Sequence, residues 1–148
     1  MDAIELLTED HEKVSEIFEK LEPTTEKAVK KREELFNKLY TELDIHAQIE
    51  EQIFYPALKE ADKTREIALE SYEEHKIIKR ILQEMESLAK DDELWKAKLT
   101  VLKETVEHHV EEEEGEMFKS ARKVLSEEEL EDLGARMEAQ KKQLQKAA

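Results

Sequence analysis

Apolar residues recur along this chain in steps of three and four, which is the spacing that lines one face of a helix. A first run carries Ile4, Leu7, Val14, Ile17, Phe18 and Leu21, with Asp2 placed to cap it and Pro23 placed to end it. A second carries Leu35, Leu39, Leu43, Ile49, Ile53 and Phe54, and Pro56 predicts a distortion or an end soon after. A third carries Ile67, Tyr72, Ile78, Ile81, Leu82, Met85 and Leu88. A fourth, capped by Asp91 or Asp92, carries Leu94, Trp95, Leu99, Leu102, Val106 and Met117. The stretch "SEEE" at 126–129 is a capping box and opens a shorter fifth helix with Leu130, Leu133 and Met137. The closing "KKQLQKAA" is expected to fray. No segment alternates with the period of a strand. The pattern predicts an all-α fold, an up-down-up-down four-helix bundle with a short extra C-terminal helix. All 148 residues form one domain on this reading, with the bundle over about 2–124 and the last helix over about 126–145.

The chain also repeats itself. "TEDHEKVSEIFEKLE" aligns with "YEEHKIIKRILQEME" at an offset of 64, and "HAQIEEQIF" with "HVEEEEGEM" at an offset of 63. His11 falls over His75, His46 over His109, Glu50 over Glu113 and Glu51 over Glu114. His46 and His75 lie at nearly equal distances from the turn near Ala61, and His75 and His109 from the turn near Asp92. At about 1.5 Å per residue, these rings share one level of the bundle. For His11 to join them, residues 22 to about 29 must form a longer connection and the second helix must begin near Lys30.

Composition narrows the partners. The net charge of −15 repels phosphate backbones and anionic membrane leaflets, so neither nucleic acid nor a membrane surface is expected. There is no apolar run of about 18 residues and no basic-then-apolar leader. Cysteine is absent, which removes disulfides and thiolate ligands. A cytoplasmic location is expected, and the high charge favours a monomer.

The remaining question is chemical. "VEHHVEEEEGEMF" at 106–118 runs two histidines into four glutamates. A His followed four residues later by Glu places both on one helix face, but in so acidic a chain one such pair means little; His108 and Glu112 form one as well. Convergence means more. His11, His46, His75 and His109, one per helix, stand at a common height on apolar stripes, and Glu50 and Glu113 stand at matching places in the two repeats. Buried carboxylates and imidazoles are costly unless paired or bound to metal. Bridging carboxylates with terminal imidazoles suit iron or manganese, and zinc less specifically. The competing reading is a core of hydrogen-bonded His and Glu. Glu111, Glu112 and Glu114 are read as solvated or as partners of the ring nitrogens facing away from the site. Asp10 and Glu74, each just before a stripe His, are read the same way. His108 is offset by about 100° and read as packing or surface. Tyr40, Tyr55, Tyr72 and Trp95 are read as core, some of them able to line a small pocket.

With these residues in view the chain resembles the hemerythrin-like, HHE cation-binding family. The resemblance spans about residues 5–140 and rests on "EDH" at 9–11, "HAQIEEQIFYP" at 46–56, "EEH" at 73–75, "HHVEEEEGEMF" at 108–118 and the tail "LSEEELEDLGARMEA". It implies a four-helix bundle around two non-haem iron ions with a bridging oxo or hydroxo group. Carried over, His11 and His46 would serve one iron, His75 and His109 the other, and Glu50 and Glu113 would bridge. Oxygen-carrying hemerythrins have a fifth His, on the third helix and separated from the first one there by three residues. Here that position is Lys79, and its counterpart in the first repeat is Ser15. An open metal position usually means reactivity.

Four functions fit this pattern. The first is binding or sensing of a diatomic ligand, O2 or NO. The second is an oxidase, peroxidase or NO-reducing enzyme acting on O2, peroxide or NO at the same centre. The third is iron storage, delivery or repair. The fourth is a purely structural bundle.

Overall fold

The computed structural model describes residues 1–148. The chain forms five helical rods. The first is α1 (Ala3–Leu21). The second is α2 (Val29–Ile49), continued through a π-helical turn at Glu50–Phe54 into α3 (Tyr55–Lys59). The third is α4 (Asp62–Glu86). The fourth is α5 (Glu93–Glu112), continued through a second π turn at Glu113–Met117 into α6 (Phe118–Val124). The last is α7 (Glu127–Ala147). The first four rods form the bundle and α7 lies against α1 and α2.

Local chemistry accounts for most of the boundaries. Asp2 and Ser126 each form a capping box with the Glu three residues on, and Asp92 accepts from the Leu94 N–H. The connection after α1 is long, as the heights of the histidines require, and α2 begins at Val29. That connection is held by the buried Arg32, which donates to the Thr24 hydroxyl and carbonyl and to the Lys90 carbonyl, and lies over the Trp95 ring.

Two features differ from the sequence reading. First, α7 does not fray. It runs 21 residues to Ala147, because Leu144 packs on the core and Lys141 pairs with Asp10. Gly134 on this helix sits against the chain start. A Cβ there would lie 2.5 Å from the Met1 carbonyl oxygen, so α7 meets the N-terminus with backbone-to-backbone closeness.

Second, the two π turns interrupt otherwise regular α-helices at repeat-equivalent positions. Tyr55 N–H reaches the Glu50 carbonyl and Phe118 N–H the Glu113 carbonyl, five residues back instead of four. The next residue after Tyr55 is Pro56, which has no N–H to give. The Glu51 carbonyl is thereby freed and accepts from the Tyr72 hydroxyl at 3.2 Å.

The apolar interior is split in two. One cluster holds Val14, Phe18, Phe36, Leu82, Trp95 and Leu102 at the end near the α1–α2 connection. The other holds Ala3, Leu7, Ile49, Phe54, Tyr55, Met117 and Met137, and includes α7. Between them lies a layer of buried His, Asp and Glu.

Candidate metal centre

This layer brings His11, His46, Glu50, His75, His109 and Glu113 together, each no more than 7% exposed. The rings form two matched pairs. His11 and His46 have centroids 5.0 Å apart at 62°, and His75 and His109 have centroids 5.0 Å apart at 63°. Between the pairs stand the two glutamates. Glu113 Oε1 is 2.9 Å from His11 Nε2 and 3.8 Å from His46 Nε2, while its Oε2 is 3.2 Å from His109 Nε2. Glu50 Oε1 is 3.0 Å from His46 Nε2 and 3.2 Å from His75 Nε2. Each carboxylate thus reaches from one ring pair to the other.

The π turns place these glutamates. His46 to Glu50 and His109 to Glu113 are the spans of four residues that keep two side chains on one face, and each Glu begins its widened turn. The widened turn also changes which residues follow onto that face. Tyr55 and Phe118, related by the 63-residue offset, come to lie over His75 and His11, the rings 28° and 4° from parallel.

The outward nitrogens of the rings are also committed. His11 Nδ1 contacts Glu114 at 2.6 Å, His46 Nδ1 contacts Asp10 at 2.9 Å, His75 Nδ1 contacts Glu51 at 2.7 Å, and His109 Nδ1 contacts Glu74 at 2.6 Å. With Nδ1–H donated outward, each Nε2 faces the centre, where it can offer a lone pair to a metal that displaces its proton. A carboxylate on the far nitrogen is the usual way to fix the tautomer and raise the basicity of a metal-ligating imidazole. Asp10 and Glu74, and Glu51 and Glu114, occupy equivalent places in the two repeats.

The inner atoms are poorly satisfied by one another. His46 Nε2, His109 Nε2 and both oxygens of Glu50 are fully buried and make no hydrogen bond. His46 Nε2 and Glu50 Oε1 lie at contact distance but lack hydrogen-bond alignment. Buried polar atoms without partners are rare in native proteins. Here they converge in two sets, His11–His46–Glu113 and Glu50–His75–His109–Glu113, each with its ligand atoms within 4.8 Å of one another. The residues present therefore fit a metal, and nitrogen and oxygen donors in this mixture suit iron, manganese or zinc.

The electrostatics are those of anions and cations crowded out of water. Burial opposes charge on His46, but Glu50, Asp10 and Glu113 outweigh it and hold its pKa well above the usual imidazole range. Burial likewise opposes charge on His109, yet Glu113 and Glu74 lift its pKa to about 10. Burial would raise Glu113, but His109, His11 and His46 hold it well below the ordinary carboxylate value.

Several residues read differently in three dimensions. Tyr55 is more than core: its hydroxyl donates to Glu113 Oε2 at 2.6 Å and lies 3.4 Å from His75 Nε2. Burial, then Glu113 and Glu50, raise its pKa well above 10.0, which keeps the phenol protonated. Nothing in an "IFYP" string announces this, although the repeat-equivalent Phe118 shows that a ring is wanted there and that the hydroxyl is extra. Asp10 is fully enclosed rather than on the surface. His108 is exposed and paired with Glu112 at 3.0 Å, away from the centre. Lys79 is exposed and ion-paired to neither Glu50 nor Glu113. It lines a cavity of about 270 Å³ that also touches His11, His46, His75 and His109. That cavity leads to the centre between α2 and α4, with Lys76, Asp44 and Gln48 along its wall.

A family model described as the hemerythrin HHE cation binding domain matches residues 2–121. A DNA nickase from Nostoc sp. is 29% identical over 149 residues, a match that takes in 98% of this chain and 40% of the Nostoc protein. The chain thus spans about two fifths of that relative's length. A Mycobacterium tuberculosis protein, described as uncharacterized, is 32% identical over 121 residues, covering 76% of this chain and 69% of its own. The crystal structure of a hemerythrin HHE cation binding domain-containing protein from Mycobacterium kansasii is similar throughout. The TM-score is 0.88 at 28% identity, over 99% of this chain and 89% of that one.

Proposed function

This chain belongs to the hemerythrin HHE cation-binding domain family, and from that premise we propose that it holds two non-haem iron ions and binds or senses a small diatomic ligand, O2 or NO, at them. His11 and His46 would hold one ion, His75 and His109 the other, and Glu50 and Glu113 would be shared between them. The observation that carries this reading is the Glu113 carboxylate, one oxygen turned to His11 and the other to His109. A carboxylate with one oxygen toward each ring pair is placed to be shared by two ions.

Paired ferrous ions supply reversible electron donation to a bound gas. What the chain itself supplies is access, exclusion and orientation. The cavity beside Lys79 is wide enough for a diatomic molecule and reaches all four rings, while Val14, Leu43, Ile78 and Val106 keep its inner wall apolar. Lys79 stands where a fifth imidazole would be, and an exposed ammonium is no ligand, so the chain offers one ion no fifth imidazole there and would leave that position open to exchange. The four outward carboxylates keep each Nε2 aimed inward.

A second reading, reduction of peroxide or NO, is favoured by Tyr55. Breaking an O–O or N–O bond consumes protons, and the buried phenol is a neutral donor already within hydrogen-bond reach of the centre. The Nostoc relative's name gives no support for action on DNA here, since a net charge of −15 opposes binding to phosphate.

Metal analysis of protein purified without chelator or metal-binding tag, with an absorption spectrum of the same sample, tests the centre. Two irons per chain with near-ultraviolet charge-transfer bands are expected. The reduced protein should then change its spectrum on adding O2 or NO, in proportion to ligand. Repeated turnover of peroxide, slowed in Tyr55→Phe, would favour the second reading instead. Failure to retain metal after anaerobic ferrous reconstitution would leave only a helical bundle.

A further inference from the structure

We propose that Lys141, on the C-terminal helix α7, is a positioning residue for this centre, acting through Asp10 on His46 and making the two ends of the centre unequal. The inference rests on the metal-centre reading above.

Of the four carboxylates that face an outward ring nitrogen, Asp10 alone is sealed. Its side chain is 2% exposed, against 24% for Glu74, 39% for Glu51 and 41% for Glu114. Both of its oxygens are used. Oδ2 faces His46 Nδ1 at 2.9 Å, and Oδ1 takes the Lys141 ammonium. Lys141 is itself largely covered, at 13% side-chain exposure. An enclosed carboxylate oxygen without a donor is costly to bury. Lys141 takes up Oδ1, which fixes the Asp10 side chain in one orientation with Oδ2 on the His46 ring.

The repeat-equivalent position has no such support. Glu74, which faces His109, is 24% exposed, lies beside Glu112 and His108 at the surface, and has no lysine paired to it. Its charge is held by His109 and these surface neighbours rather than by a covered ammonium. The lysine also comes from outside the duplicated unit. It stands beyond the family-matched residues, on a helix whose docking is fixed by the close approach at Gly134 and by Gln140 donating to Gln52 in the first π turn at 3.1 Å. The C-terminal helix thus reaches the centre by a chain of two contacts, and does so at one end only.

Loss of an outward partner usually costs a metal site about tenfold to a hundredfold in affinity. Chelator-driven release of ferrous iron from the full chain should therefore become biphasic in Lys141→Met. One iron per chain should leave about tenfold faster or more and the other at the wild-type rate. Lys141→Arg, which keeps the charge, should restore the wild-type trace. A control, Leu102→Ala, loosens the apolar cluster at the other end of the bundle without disturbing the docking of α7, and should lower the melting temperature while leaving both release rates unchanged.

A second readout needs no metal. In the metal-free protein the His46 ring N–H should give a slowly exchanging proton signal by nitrogen-edited NMR. It should be lost in Lys141→Met and kept in Lys141→Arg. If Lys141→Met behaves like Leu102→Ala in both measurements, Lys141 only adds stability and the proposal fails. If the wild type takes up no iron but the ring signal follows the lysine charge, the positioning role stands and the function proposed above falls.

Discussion

His46 leans on an aspartate sealed beneath a lysine, whereas His109, its counterpart 63 residues on, leans on a glutamate open to water and to other acids. His75 lies under a tyrosine that donates to Glu113, whereas His11 lies under a phenylalanine that has nothing to donate. The halves agree in the inward-facing atoms: two rings 5.0 Å apart, a Glu opening a π turn, and a carboxylate on each outward nitrogen. They differ one contact further out. Duplication of a two-helix unit supplies a symmetric set of donors. The layer behind it decides how each donor behaves, and there substitution has been free to make the ends unlike.

The largest effect should come from removing what the halves share. Glu50→Gln with Glu113→Gln replaces both spanning carboxylates by neutral amides of the same shape. Metal content at micromolar iron should fall from two per chain to none, read by elemental analysis. Unchanged metal content would mean that the ions, if any, sit elsewhere.

Second in size is pH. In the metal-free protein His109 is held charged, its pKa lifted from 6.5 to about 10. A raised folded-state value stabilises the fold fully below 6.5, and the contribution is lost as pH climbs through about 10. A metal ion must displace that same proton, so affinity should run the other way, rising by about tenfold per pH unit for each proton displaced. From pH 6.5 to 10 the metal-free melting temperature should therefore fall while metal affinity rises. Parallel movement of the two would show that His109 does not exchange a proton for metal.

Two smaller changes sharpen the contrast between the ends. Tyr55→Phe makes the halves alike by deleting a hydroxyl bonded to a charged group, a loss of about 1.5–3 kcal/mol. The melting temperature should drop and the near-ultraviolet spectrum of the loaded protein should shift. The reciprocal Phe118→Tyr should not restore it, because the hydroxyl would stand over His11 rather than His75. Smallest of all, His108→Ala removes an exposed pair with Glu112 and should change stability by less than about 0.5 kcal/mol, with no change in metal content.

The helices, their caps and the meeting of four His with Glu50 and Glu113 at one level were legible because each rests on a local period or on the 63- and 64-residue offsets. Three things were not. The π turns have no composition of their own; only Pro56 hinted that the second rod would not continue undisturbed. Tyr55 reads as one more aromatic in an apolar string until a turn of unusual width brings it over His75. Lys141 meets Asp10 across 131 residues. Long-range pairing of that kind is set by how α7 docks, and a polar "KKQLQKAA" tail gives no sign of docking when Leu144 is its single apolar anchor.

The π turns have a consequence for how the chain tolerates change in length. An α-helix advances by about 100° per residue, so one added residue rotates everything beyond it by that amount. In each long rod the widened turn takes up one such residue as a local dislocation. Deleting one residue between the Glu and the ring in either turn would heal the ladder and leave Tyr55, or Phe118, close to its present place, because the five-back bond already sets the ring where the fourth residue of an α turn stands. A shortened chain would thus be the more regular helix and still carry the ring that roofs its histidine, whereas a further inserted residue would swing that ring away.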